Sequence, residues 1–350
     1  MNIDEKYLLR CIELGKNALG IAAPNPMVGS IIVHNDKIVG EGYTSVYGGA
    51  HAEVNAIQSV KDKASLTLST LYVTLEPCSH YGKTPPCANL IIENQIPRVV
   101  IGITDPHIKI AGKGIEKLRN AGCKVIVGVL EKECREHHRR FLTFQEKKRP
   151  YIILKWAETM DGFIAPNASE RNNGIEPFWI SNTYSRQLVH QWRSEEQAIL
   201  VGTNTVREDN PKLNIRDWTG KSPFRIVLDS NLSLPENAAV FNDSSKTMVI
   251  HDKNFQKKSP EHPVYEAIDF KQNVPEQICE VLFEHQIASV IIEGGLQTLQ
   301  SFIDKSLWDE ARIFKGVSQF KKGIEAPKIS GNPLQTKTIL TDTLTILRND

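Results

Sequence analysis

The stretch ANLIIENQIPRVVIGITDPHIKIAGKGIEKLRNAGCKVIVGV, residues 88–129, decides the fold class. ANLIIENQ reads as a helix and RVVIGITDP as a strand. GIEKLRNAG reads as a second helix, closed by Gly122, and KVIVGV as a second strand. Strands that alternate with helices build a layered α/β sheet. Toward the N-terminus, LSTLYVTLEP is a strand and HAEVNAIQSV a helix, and SIIVHNDKIVGEGY is a hairpin turning at Asn35-Asp36. Residues 5–19 place Leu8, Leu9, Ile12, Leu14 and Leu19 at roughly helical spacing.

Toward the C-terminus, EKECREHHRRFLTFQEK (131–147) is polar and helical, and KKRP at 147–150 marks a boundary. From Tyr151 a second strand-first pattern runs through YIILKWA, AILVG, FRIVLDS, KTMVIHD and ASVIIEGG, with helical stretches between. The sequence therefore predicts two α/β domains, 1–147 and 148–350. A length of 350 residues agrees, at about 150 residues per domain.

Composition limits the function. Hydrophobic residues are 40% and charged residues 24%, which is ordinary for a globular chain and argues against long disorder. A net charge of +1 gives no strong electrostatic footprint for nucleic acid or an anionic membrane. No apolar run approaches the roughly 20 residues that span a bilayer. MNIDEKYLLRCIELGKNAL is charged throughout and lacks the apolar centre of a signal peptide, so the cytoplasm is the expected location. The six cysteines are too few and scattered for a disulfide framework, which leaves metal binding or inert burial. Five of them precede residue 135, so any cysteine chemistry belongs to the first half.

Three pieces of that half fit together. His51-Ala52-Glu53 opens a helix, Glu76-Pro77-Cys78 ends a strand, and Thr84-Pro85-Pro86-Cys87 opens another helix. Thr84 is placed to cap that helix, with a proline in its first turn. Strand ends and helix starts converge on one edge of an α/β sheet. One imidazole and two thiolates, from His51, Cys78 and Cys87, form a soft three-ligand set suited to zinc, with the fourth position open for catalysis. Glu53, two residues after His51, is a carboxylate able to take a proton from metal-activated water and hand it to a leaving amine. This is the H-x-E…P-C-x-x-C pattern of zinc deaminases, except that here the second cysteine follows the first by nine residues. Two other readings stay open at this point: packed, unligated side chains, or a closed structural zinc site with His80 as fourth ligand.

A wider set of words is more specific. AAPNPMVGSIIV (22–33), GGAHAEVNAI (48–57) and TLEPCSHYGKTPPCANLII (74–92) together resemble the bifunctional deaminase/reductase family of bacterial riboflavin biosynthesis. That family carries the longer cysteine loop. LKWAETMDG (154–162), WIS (179–181), ILVGTNTVREDNPKLNIR (199–216) and IIEGG (291–295) are similar to its reductase domain, so the resemblance covers nearly the whole chain. It implies a cytidine-deaminase-like α/β/α domain that hydrolyses an amino group from a diaminopyrimidinone carrying a ribose phosphate. A dihydrofolate-reductase-like α/β domain would then reduce the ribosyl group to ribityl with NADPH. It implies zinc on His51, Cys78 and Cys87, Glu53 as proton shuttle, and Asn25 as a pyrimidine contact.

The second half contains no G-x-G-x-x-G. What it offers is Gly294-Gly295 after ASVII and before LQTLQSFI, where glycine lets backbone approach a phosphate at a helix start, and a similar turn at Gly202-Thr203-Asn204-Thr205. Taken alone, each is more often only a turn. The resemblance assigns Ala157, Trp179, Thr205, Asp209 and Ser230 to the NADPH site, with Gly295, Leu296, Gln297, Thr298, Leu299, Gln300 and Ser301 under its phosphates. It assigns Arg193, Leu213, Arg216 and Glu293 to the substrate pocket, where arginine forks suit phosphate oxygens. Lys155 and Asp161 are candidates for the acid or base of the reductase, and either is equally readable as a member of a structural ion pair. Two departures stand out. Pro177 replaces the family's substrate-contacting serine, and the stretch from Pro166 to Phe178 is long. The implied partner is a small pyrimidine ribose phosphate, with no nucleic acid and no membrane, and a homo-oligomer is compatible with the sequence. The alternatives are a zinc deaminase acting on another base or nucleoside with a non-catalytic second domain, or a structural-zinc nucleotide-binding module.

Overall fold

The computed structural model describes residues 1–81, 85–106, 111–167, 178–242, 244–255 and 263–349. Two compact units divide the chain, Met1–Lys148 and Arg149–Asp350.

The first unit holds a five-stranded sheet in the order β2-β1-β3-β4-β5. Its strands are β1 (Gly29–His34), β2 (Lys37–Tyr43), β3 (Thr70–Leu75), β4 (Arg98–Ile103) and β5 (Lys124–Val127). The hairpin β1–β2 turns at Asn35 and Asp36, both at positive φ (48° and 56°). β1 also pairs antiparallel with β3, and β3, β4 and β5 run parallel. Ile31, Ile32, Leu71, Val73, Val99, Val100 and Ile101 are wholly buried, as expected of strands covered on both faces. Each such side chain contributes about 1.5–3 kcal/mol of burial.

Helices α1 (Ile3–Gly15), α2 (Ala52–Ser59), α3 (Cys87–Glu93) and α4 (Lys113–Asn120) belong to this sheet. A capping box starts α1: the Asn2 side chain accepts the Glu5 N–H, and the Glu5 carboxylate accepts the Asn2 N–H. Gly122, at φ 89°, follows α4.

The single helix expected over 131–147 is instead two, α5 (Glu131–His137) and α6 (Arg139–Lys147), broken at His138. The break lets two successive histidines both turn inward. His137 Nε2 donates to the Met27 carbonyl at 2.6 Å, and His138 Nε2 meets Thr74 Oγ1 at 2.9 Å. Nor is the segment polar throughout, since Cys134, Leu142 and Phe144 are buried.

In the second unit, seven parallel strands lie in the order β11-β10-β9-β8-β12-β6-β13, and an antiparallel pair, β16-β15, completes the nine-stranded sheet. The strands are β6 (Tyr151–Glu158), β8 (Ala198–Gly202), β9 (Phe224–Leu228), β10 (Thr247–Asp252), β11 (Val264–Ile268), β12 (Ser289–Ile292), β13 (Glu310–Lys315), β15 (Asn332–Ile339) and β16 (Asp342–Arg348). Strands β7 (Phe163–Pro166) and β14 (Gly323–Glu325) form a separate ribbon. The helices are α7 (Thr183–Glu195), α8 (Thr203–Asp209), α9 (Val274–Glu284) and α10 (Leu296–Asp304). β6 shows how the sheet is covered: Ile152, Leu154 and Trp156 join one core, and Tyr151 and Ile153 join another on the opposite face. No described helix is long and apolar enough to cross a membrane.

A candidate zinc centre and a cofactor cleft

In the first unit the metal-ligating atoms meet where the sequence places them. His51 is the N-cap of α2, Cys78 follows β3, and Cys87 is the first residue of α3. Their ligand atoms all lie within 4.8 Å of one another. His51 Nδ1 stands 3.3 Å from Cys87 Sγ and 3.7 Å from Cys78 Sγ. A tetrahedral zinc with bonds of about 2.3 Å to sulfur and about 2.05 Å to nitrogen separates S and N by about 3.6 Å, so the three residues present fit the ion. Among the described residues, His80 is not part of this group, although it lines the same pocket. The closed four-ligand reading therefore finds no support in the geometry.

Without an ion, one proton is shared among the three side chains, and only Cys78 is held as thiolate. The Cys87 backbone N–H, at the start of α3, donates to Cys78 Sγ at 3.3 Å. A hydrogen bond from the Cys87 thiol, helped by His51, brings Cys78 down to about 4. Cys87 moves up in turn, because the pair shares one proton beside a buried carboxylate. The hydrogen bond with Cys78 raises His51. Glu53 is buried in the first turn of α2, and burial pushes its carboxyl up to about 7, with the Cys78 charge adding to the effect.

Two features were not read from the sequence. Pro86, not Thr84, is the N-cap of α3, so the prolines precede the helix; Thr84 lies outside the described residues. Glu76, one residue beyond β3, is buried and serves as an anchor. Its Oε1 accepts the N–H groups of Gly114 (2.8 Å) and Ile115 (3.2 Å), and its Oε2 those of Gly112 (3.0 Å) and Asp105 (3.2 Å). The start of α4 is thereby tied to the segment carrying Cys78. An acid directly after an apolar strand run and two residues before a ligand was the available signal. The pocket over this centre has a volume of about 300 Å³. Asn25, Tyr47, Asp105, Phe141 and Gln145 line it beside His51, Glu53 and Cys78.

In the second unit a cleft of about 1080 Å³ opens at the C-terminal ends of the parallel strands. That exceeds the volume of about 300–1,000 Å³ usual for one small ligand and suits an elongated cofactor together with a substrate. Ala157, Trp179, Thr205, Asp209, Ser230, Gly295, Leu296, Gln297, Thr298 and Leu299 line it, as do Arg193, Leu213, Arg216 and Glu293. Gln300 and Ser301 do not. Gln300 Nε2 donates to Asp304 Oδ1 at 2.7 Å, and Ser301 Oγ to the Thr298 carbonyl at 2.8 Å, because α10 has left the cleft by its second turn. Gly295 takes φ 45° at the N-cap of α10, and a Cβ on Gly294 would stand 2.7 Å from Val201 Cα. A phosphate cradle of close-packed backbone at a helix start results.

Arg193 differs from the expectation of a phosphate fork. Its Nε and Nη2 are engaged by Glu293 Oε1 (3.0 Å) and Oε2 (2.7 Å), so the fork is spent inside the protein. Arg216 is exposed, is held by Asn214 Oδ1 at 3.2 Å, and is the one of these two arginines left to meet the substrate phosphate. Burial alone would raise Glu293, but Arg193 and Lys155 outweigh it and hold the carboxyl at about 2. Lys155 lines the cleft 3.8 Å from Glu293, and burial lowers its pKa. Asp161 is no acid of this site. It accepts the Thr159 hydroxyl (2.6 Å) and the N–H groups of Phe320 (3.2 Å) and Lys321 (2.8 Å), holding a turn outside the cleft. Pro177 and most of the stretch from Pro166 to Phe178 lie outside the described residues.

The fold and the two sites define a class: a zinc-dependent deaminase domain followed by an NADPH-dependent, dihydrofolate-reductase-like domain. Residues 1–103 match the cytidine and deoxycytidylate deaminase zinc-binding region, and residues 150–316 match the RibD C-terminal domain. The riboflavin biosynthesis protein RibD of Aquifex aeolicus is 42% identical over 95% of this chain and 89% of its own length. Its counterpart in Synechocystis is 38% identical over 94% and 85%. A diaminohydroxyphosphoribosylaminopyrimidine deaminase/5-amino-6-(5-phosphoribosylamino)uracil reductase from Thermotoga maritima superposes with a TM-score of 0.88 at 36% identity, covering 99% of this chain and 98% of that one. RibD of Acinetobacter baumannii gives 0.89 at 29% identity, with the same coverage. The chain belongs to the RibD family of bifunctional riboflavin biosynthesis enzymes.

Proposed function

We propose that the two units catalyse successive steps on one small molecule. Residues 1–147 remove an amino group from the pyrimidinone ring of 2,5-diamino-6-(5-phosphoribosylamino)pyrimidin-4-one, with water as co-substrate and ammonia as product. Residues 148–350 reduce the ribosyl group of the resulting uracil to ribityl with NADPH. The observation that carries this reading is the convergence of His51 Nδ1 and the sulfurs of Cys78 and Cys87 within 4.8 Å, beside buried Glu53 in one pocket.

Bound through His51, Cys78 and Cys87, zinc supplies a Lewis acid that makes water a nucleophile near neutral pH. Glu53 takes the proton of the attacking water and returns it to the departing amine. A carboxyl raised by burial suits that exchange, since efficient proton transfer needs a pKa near the working pH. Asn25 lines the pocket and offers a donor and an acceptor to the pyrimidine edge. Phe141 and Leu75 exclude water on the apolar side.

In the second unit, Gly295 and the first turn of α10 hold the cofactor phosphates, and Ala157, Trp179, Thr205, Asp209 and Ser230 line its length. NADPH supplies the hydride, and the protein's part is orientation. Arg216 and Leu213 meet the substrate. Glu293 and Arg193 keep each other in place beside it, and Lys155, which lines the cleft next to Glu293, is the proton donor we assign. A pocket of about 300 Å³ over the metal centre suits a single pyrimidine ring, and the net charge of +1 is what speaks against a nucleic acid as partner. We place this chemistry in the cytoplasm, where NADPH is at hand.

The test is metal content together with ammonia release, for wild type and Glu53→Ala. Zinc near one per chain in both, with ammonia from wild type alone, is the expected result. Zinc-loaded wild type that releases no ammonia from the diaminopyrimidinone phosphate would sink the reading.

A further inference from the structure

The cleft crosses the ends of β6, β12, β8 and β9, which are neighbours in that order. Lys155 on β6 and Glu293 just after β12, with Arg193 of α7 bonded to Glu293, mark the substrate side, and the glycine turn into α10 follows β12. Adjacent strands lie about 4.8 Å apart, so β9 stands about 10 Å from β12. A dinucleotide with its nicotinamide toward Lys155 and its pyrophosphate on the α10 turn therefore carries its adenosine ribose over β8 and β9. There the cleft presents Arg207 from α8 and Ser230, Asn231 and Ser233 from the turn after β9.

This corner is built. Buried Asp229 accepts the Ser233 hydroxyl on Oδ1 (2.9 Å) and the Leu234 N–H on Oδ2 (2.9 Å). With its own hydrogen committed to Asp229, Ser233 Oγ accepts Arg207 Nη2 at 2.5 Å. The other guanidinium N–H groups of Arg207 have no acceptor among the described residues. Next along the chain, Glu208, Asp209 and Lys212 also line the cleft, so Arg207 and Lys212 together offset the two carboxylates.

The two nicotinamide cofactors differ only here. NADH has a ribose 2′-hydroxyl, whereas NADPH has a phosphate monoester of charge near −2. Arginine forks suit phosphate oxygens, and an arginine near the ribose is a known way for a fold to accept this group. We propose that Arg207, oriented by Ser233, reads the 2′-phosphate and makes this reductase select NADPH over NADH. Ser230 and Asn231 supply neutral donors to the same phosphate. The proposal rests on the reading of the second unit as a nicotinamide-dependent reductase.

Calorimetry on the full-length protein tests it with two probes that lack nicotinamide, adenosine 2′,5′-bisphosphate and 5′-AMP. Wild type is expected to prefer the bisphosphate by about 10- to 100-fold, the scale of one or two charge-assisted contacts. In Arg207→Gln the preference falls to about threefold or less, while the 5′-AMP affinity, which reports an intact site, holds. Arg207→Lys, a point charge without the fork, lies between. The KM ratio of NADH to NADPH follows the same order. Equal weakening of both probes, or a preference that survives in Arg207→Gln, overturns the proposal. Wild type that binds neither probe and does not oxidise NADPH would remove the reductase reading along with it.

Discussion

Glu76 Oε1 accepts the backbone N–H of Gly114 at 2.8 Å, and Gly114 packs so closely that a Cβ there would stand 2.1 Å from the Pro77 carbonyl oxygen. The two residues lock the start of α4 onto the segment that delivers Cys78. Glu76 is thus a positioning residue for the metal centre, acting through backbone that it holds with four hydrogen bonds.

Removing that anchor should cost more than an ordinary surface change. Glu76→Ala leaves four backbone donors without their acceptor, and Gly114→Ala forces the chain off Pro77. Glu76→Ala is expected to destabilise the first unit by about 3–5 kcal/mol, in line with breaking a buried charged network, and Gly114→Ala by about 1–3 kcal/mol through overpacking. Zinc per chain should fall as well. Chemical denaturation followed by metal analysis checks this, and a variant with wild-type zinc and stability would show the anchor to be dispensable.

Glu53→Gln keeps the shape and hydrogen-bonding capacity of the side chain but cannot carry a proton. Ammonia release is expected to fall by about 10²- to 10⁴-fold. Zinc content should hold, and so should reduction of substrate already deaminated. Loss of both activities together would show that the units do not act separately.

Stripping the metal with a chelator should abolish deamination and lower the melting temperature of the first unit, because an ion bound only to the folded state stabilises it by about 4 kcal/mol at a thousandfold excess over Kd. Added zinc should restore both. Cys87→Ser, which weakens the donor set, should need more zinc for the same recovery. A melting curve indifferent to chelation would count against zinc on these three side chains.

The Arg193–Glu293 pair gives the second unit a pH signature. Glu293 sits at about 2 when folded, against 4.5 for an ordinary glutamate. A depressed folded value adds stability that is present above the unfolded pKa and lost as pH falls toward the folded one. The shift corresponds to about 3 kcal/mol at most, lost progressively between about pH 5 and pH 2. Glu293→Gln should flatten that part of the melting profile. Arg193→Ala should destabilise at neutral pH by about 3–5 kcal/mol, because it leaves a buried carboxylate short of its main partner. An acid profile unchanged by Glu293→Gln would exclude this origin.

Strands β7, β11, β13, β14, β15 and β16 were not legible in the sequence, and β13 shows why. Glu310 and Arg312 look like surface charge on a strand, yet both are buried, joined at 2.6 Å. The Arg312 guanidinium also lies 4.5 Å from the centre of the Trp192 ring. β15 fails for the opposite reason: it is an edge strand, exposed along almost its whole length, with no apolar face to read. The break at His138 was equally invisible, since it depends on hydrogen-bond partners at Met27 and Thr74, far away in sequence.

By itself, the sequence determined what is local or chemical. The alternation of apolar runs with turn residues set the α/β order, because burial of period-2 and period-3.6 faces is dictated by neighbours in the chain. The identities of His51, Cys78, Cys87 and Glu53 set the chemistry, because donor type limits which metal and which proton transfer are available. Only the tertiary structure decided what depends on distance: that His51 presents Nδ1 to both sulfurs, that Glu76 anchors α4, that Arg193 is consumed by Glu293, and that Arg207 reaches Ser233. Each is a contact between residues separated in the chain, and an interaction energy falls away within a few ångströms that composition and spacing cannot specify.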